Sequence, residues 1–170
     1  MKKIIPGTND LFDNSNTFDN YKKMIELGNG VTLGQICNIT KLEPHVIQNW
    51  VKRGYIPHPV NKKYFTKHLA RILLINALRK TMYIEDVGKL MVIINGDVDD
   101  ESDDLISEED LYKLFSNIIY EIDDLNNVDR IIDKKVKKKV LNSCMKVMIY
   151  AYIASEFSKK SQAYFNEIKW

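Results

Sequence analysis

The sequence predicts a mainly α protein: a winged helix-turn-helix with a short two-stranded wing, followed by a C-terminal helical domain. Three observations point there. The stretch 46–53 puts Val46, Ile47, Trp50 and Val51 on one helical stripe and Gln48, Asn49, Lys52 and Arg53 on the other side, with no acid among them. Residues 31–91 carry ten bases against three acids, while residues 97–110 carry nine acids and no base. From Leu111 onward the apolar residues return at a helical period: Leu111, Leu114, Phe115, Ile118, Ile119, Ile122 and Leu125.

Residues 1–30 read as an N-terminal extension with an Asn/Asp-rich opening and one short helix. In that helix Phe18, Tyr21, Ile25 and Leu27 share a face before Gly28-Asn29-Gly30 ends it. Residues 31–96 form the next unit. Thr32 with Gln35 three residues on has the form of a capping box, in which each residue satisfies an orphan amide near the other. A turn over 39–42 leads to Glu43-Pro44, where proline suits the first helical position because its missing amide had no partner there. The second helix, about 43–54, stops at Gly54, and Ile56-Pro57 restarts the chain extended. Residues 55–65, with two prolines and a turn signal at Asn61, predict the wing. Thr66 is expected to cap a helix with Leu69, Ile72, Leu73, Ile75, Ala77 and Leu78 inside, and a further helix carries Val87, Leu90, Met91 and Ile94.

Residues 97–110 read as a solvated acidic linker, with Ser107 capping the next helix. A calcium-loop pattern starting at Asp97 fails, because Ser102 stands where glycine is required and Asp104 where an apolar residue is required. Residues 111–170 form a helical dimerisation or effector domain of two or three amphipathic helices. These pack either on the first unit or on a second copy.

Composition narrows the function classes. The apolar share of 45% and charged share of 28% suit a globular protein. No apolar run reaches the roughly 18 residues of a membrane span, and Pro6-Gly7 breaks the N-terminal stretch before a signal core forms. Cys37 and Cys144 lie far apart in helical patterns and read as buried thiols, pointing to a reducing cytoplasm. His45, His58 and His68 lack ligand spacing, so no metal and no cofactor is expected. Neither a phosphate loop nor a nucleophile with its base is evident, so no enzyme is predicted.

Residues 32–91 resemble the winged helix-turn-helix of MerR-type transcription regulators. The likeness lies in the capped helix, the turn, and a second helix ending in basic residue, glycine, apolar residue and Ile-Pro. It continues through the wing, a Tyr, and Thr66-Lys67-His68-Leu69-Ala70-Arg71-Ile72. More narrowly, residues 51–64 resemble a family of small uncharacterised bacterial proteins of that class. The resemblance implies a DNA-binding regulator, usually dimeric, with the second helix in the major groove. One departure is clear: where that class commonly has Thr-Ile-Arg-Tyr-Tyr, this chain has Val46-Ile47-Gln48-Asn49-Trp50. Gln and Asn each pair bidentately with adenine, so the sequence read would change.

The expected function is therefore sequence-specific DNA binding in transcription regulation. Lys41, Lys52, Arg53, Lys62, Lys63 and Arg71 would meet phosphates, with Tyr64 beside them at the wing. His45, Gln48 and Asn49 would meet base edges. The expected partners are double-stranded DNA and a second copy held through the C-terminal helices, with room for a small-molecule effector and no membrane. The alternative is a protein-interaction adaptor that keeps the fold without reading an operator.

Overall fold

The computed structural model describes residues 5–8 and 17–168, which are mainly helical. The helices are α1 (Thr17–Leu27), α2 (Leu33–Thr40), α3 (Pro44–Lys52), α4 (Thr66–Leu78), α5 (Ile84–Asn95), α6 (Glu108–Glu121), α7 (Val128–Lys135) and α8 (Lys139–Glu167). Apart from residues 5–8, the Asn/Asp-rich opening lies outside the described residues.

α4 is the axis. Every residue of it except Lys67 is buried, as expected of a helix covered on all sides. α1, α2, α5, α6 and α8 all pack on it, α6 most extensively. α6 brings Leu111, Tyr112, Phe115 and Ile118, and α8 brings Leu141, Cys144, Met145, Met148, Ile149 and Tyr152. Each side chain of this kind stabilises the fold by roughly 1.5–3 kcal/mol on burial. Phe115 meets Tyr152 edge-on at 5.7 Å, and Tyr112 donates from its hydroxyl to the Pro6 carbonyl at 2.8 Å. The segment 5–8 is thereby seated against α4, where Gly7 sits at φ +82° and a Cβ would lie 2.2 Å from the Leu73 carbonyl oxygen. Only glycine fits there. One continuous core thus runs from Ile5 to Tyr152. Among the described residues no helix is long and apolar enough to cross a membrane.

Several expectations need correction. The two-stranded wing is absent: the described residues contain no strand, only two isolated bridges, Val31 to Tyr64 and Val60 to Lys63. Pro57 and Pro59 remove amides that a ladder would need. A two-residue turn closes between Val60 and Lys63 instead, with Asn61 and Lys62 both at positive φ. Leu27 is exposed and lies off the apolar face of α1. Thr66 is already helical. The cap is formed by His68, whose Nδ1 accepts from the Phe65 amide at 2.9 Å.

The acidic stretch is not a free linker. Asp99 accepts from the His58 amide at 3.1 Å and faces its ring nitrogen at 3.0 Å, Glu101 pairs with Lys67, and Leu105 is bonded back to Ile94. Residues 108–110 already belong to α6, where Ser107 caps as expected by accepting from Asp110 at 3.1 Å. The C-terminal pattern resolves into α7 and one long α8, broken at Val136-Lys137-Lys138 inside the lysine run.

His68 is fully buried, and its two bonds fix its tautomer. Nδ1 accepts from Phe65, so Nε2 carries the proton and donates to the His58 carbonyl at 3.1 Å. Burial holds this imidazole below its ordinary range. A group depressed in the folded state contributes stability above its unfolded value of about 6.5, and loses it as pH falls. NMR titration should find His68 protonated at Nε2 at neutral pH, with a midpoint below about 6.5. A higher midpoint would contradict the buried cap.

Candidate nucleic-acid interface

The interface begins at the α2–α3 pair. Gln35 donates its backbone amide to Thr32 Oγ1 at 3.4 Å while its side chain accepts from the Thr32 amide at 2.8 Å, completing the capping box. Lys41 takes a left-handed conformation (φ +57°) and ends α2, three residues before Pro44 opens α3. At the far end of α3 the Gly54 amide bonds to Val51 and the Tyr55 amide to Trp50. This pairing is the Schellman arrangement, with Gly54 at φ +71°.

Within α3, Ile47 and Trp50 are buried against the core, while His45, Gln48, Asn49 and Lys52 are exposed. Their spacing of i, i+3, i+4 and i+7 puts them on one outward face. Lys41 and Arg53 are exposed at either end of this face, and Lys62 is exposed at the 60–63 turn. Lys63 is half-buried, its Nζ 3.5 Å from the Gly30 carbonyl.

Two of the ten expected contact residues are not at the surface. Tyr64 is buried: its backbone bridges to Val31 and its ring meets His68 edge-on at 5.5 Å. Arg71 is 2% exposed. Its Nε donates to the Tyr55 carbonyl at 2.8 Å and its terminal nitrogen is bonded to Glu108, which Asn95 also contacts at 3.1 Å. A buried, paired arginine cannot reach a phosphate. It ties α4, α5 and α6 to the end of α3.

Acids unforeseen from local sequence also border this face. Glu85 of α5 pairs with Arg53 at 2.7 Å, and the Arg53 guanidinium lies 4.8 Å from the Tyr55 ring centroid. The Arg53 bond holds the Glu85 carboxyl below the usual range. Bonds from the His58 amide, then from its ring, do the same to Asp99. Burial, with Glu108 and other acids nearby, pushes Asp104 up to about 6. The outcome is a cationic helix face bordered by carboxylates, of which Glu85 is bonded to Arg53 and Glu101 to Lys67.

Residues 10–115 match a sequence family described as a domain of unknown function, DUF1836. The chain belongs to this family. The match covers α1 to α5, the acidic loop and half of α6, so the α3 face and its acidic rim both lie within the DUF1836 region. The uncharacterised protein YkrK of Bacillus subtilis (strain 168) is 31% identical over 103 residues. That alignment takes in 58% of this chain and 43% of YkrK, so the chain spans less than half the length of the curated relative it matches. No solved structure matches.

Proposed function

We propose that the chain is a sequence-specific DNA-binding regulator of MerR-like type that inserts α3 into the major groove. One observation carries this: His45, Gln48, Asn49 and Lys52 share an exposed, acid-free face of a short helix whose other side is anchored by Ile47 and Trp50. Lys41, Lys52, Arg53, Lys62 and Lys63 would neutralise phosphates, and His45, Gln48 and Asn49 would read base edges. The turn 60–63, with Lys62 exposed on it, would supply the backbone contacts. A dimer would form through α8, which extends beyond the core. Its residues after Ser155 bury little, and Phe157, Tyr164 and Phe165 are exposed on it.

A second role, a protein-interaction adaptor that reads no operator, is favoured by two features. Arg53 is already held by Glu85 and stacked on Tyr55, and the Arg-Tyr pair usual in MerR-type helices is absent.

Selection from a random duplex pool at two salt concentrations separates the two. A regulator enriches one motif and binds more weakly as salt rises. Gln48→Ala should then relax one base position at a cost of about 1–3 kcal/mol. Light scattering should give twice the 19.8 kDa chain mass. No enrichment at either salt would leave the adaptor role.

A further inference from the structure

Where the α2–α3 turn, the end of α4 and the middle of α8 meet, a cavity of about 140 Å³ opens to the surface. Four cationic residues line it: Lys41 from the turn, Arg79 and Lys80 from the end of α4, and Lys159 from α8. One acid is close, Glu156, and it is bonded to Lys159. Among the described residues no carboxylate forms an ion pair with Lys41, Arg79 or Lys80.

Arg79 is held in place. Its Nε donates to Asn76 Oδ1 at 2.9 Å, and its guanidinium lies 5.5 Å from the Trp50 ring centroid. Asn76 is itself fixed by donating to the Gly7 carbonyl at 2.7 Å. Arg79's terminal nitrogens carry no hydrogen bond among the described residues, which leaves a planar pair of donors at the cavity. Partial burial, and then the neighbouring Lys159, hold the Lys80 ammonium below its ordinary range. Like charges gathered this way repel one another until an anion joins them.

We propose that this cavity binds one phosphate group, either the free ion or the phosphate end of a small monoester. Size sets the first limit, since a cavity near 150 Å³ holds about one benzene-sized molecule. Charge sets the second. A phosphate carries about −1.5 to −2 at neutral pH, which offsets more of the surplus of cations than a single carboxylate does. An arginine fork beside lysines also suits phosphate oxygens. Because Lys41 belongs to the α2–α3 turn and Arg79 lies over Trp50 of α3, a bound phosphate would brace α8 against the helix pair. Lys41 is the one residue this site shares with the proposed DNA contacts, and none of the base-reading residues lines the cavity, so its failure would leave the duplex selection untouched.

Calorimetry on the full chain at low salt tests it with inorganic phosphate, glycerol 3-phosphate and acetate. Saturable one-site binding of phosphate or its ester is expected, and the tighter of the two identifies the source. Acetate should bind at least about tenfold more weakly, and Lys80→Gln and Lys159→Gln should each weaken phosphate binding by at least about tenfold, the loss of one charge-assisted bond. Their melting temperatures should stay unchanged. Should either variant unfold, Lys41→Gln on the exposed turn takes its place with the same expected loss. Three results would overturn the proposal: no saturable binding of either phosphate, binding indifferent to all these variants, or displacement of phosphate by a short DNA duplex, which would assign the cations to a nucleic-acid backbone.

Discussion

Arg71→Ala is expected to lower the unfolding free energy by about 3–5 kcal/mol, the range for removing one partner of a buried ion pair. The deletion leaves the Glu108 carboxylate at the joint of α4, α5 and α6 without its cation, and the Tyr55 carbonyl without the Nε donor. Asn95 donates to Glu108 but brings no charge, so it cannot substitute. Urea denaturation would show the midpoint falling while the slope stays unchanged. Arg71→Met combined with Glu108→Leu should recover part of the loss, because exchanging both members for apolar groups removes the stranded charge. A loss in Arg71→Ala as small as that of an exposed lysine would mean that the joint is solvated and that Arg71 is free to act elsewhere.

The same residue marks where the sequence stopped being informative. Arg71 follows a wing pattern and counts toward a basic segment, so local reasoning puts it on the DNA side. Its true partner is 37 residues away, and no periodicity relates a base on α4 to an acid at the start of α6. Glu85 and Arg53, 32 apart, and Asp99 and His58, 41 apart, were hidden for the same reason. An acid-rich, proline-free run has the composition of a solvated linker, and here bonds to specific cations override that composition.

What was legible is local. The capping box at Thr32, the proline opening α3, the glycine stop at Gly54 and the inward face of Trp50 each depend on residues within one or two turns. The helical periods of α5 and α6 were equally plain. The phosphate cavity was not, since Lys41, Arg79, Lys80 and Lys159 share no pattern along the chain and meet only because α8 crosses the end of α4. α8 itself continues to Glu167, well past the last apolar residue facing the core. Residues 157–167 contain no glycine or proline, so nothing in the chain ends the helix where its packing ends.

The electrostatics of the α3 face lead to the largest functional effect. Lys52 and Lys62 are both exposed, and no carboxylate pairs with either among the described residues, whereas Arg53, His58 and Lys67 each already face an acid. If the chain binds duplex DNA, these two lysines contribute disproportionately, because meeting a phosphate breaks no existing pair. Lys52→Glu with Lys62→Glu should weaken binding by about a hundredfold near physiological salt and lower the salt slope by about two. Asp99→Asn with Glu101→Gln should act in the opposite sense. Neutralising these two acids removes two negative charges beside the face and frees Lys67 from its pair, so affinity rises and the salt slope steepens. Mobility-shift titrations of both pairs across a salt series would measure this, with circular dichroism confirming that each variant is folded. A regulator requires the two pairs to move affinity in opposite directions. If neither pair changes it, the positive face serves something other than DNA.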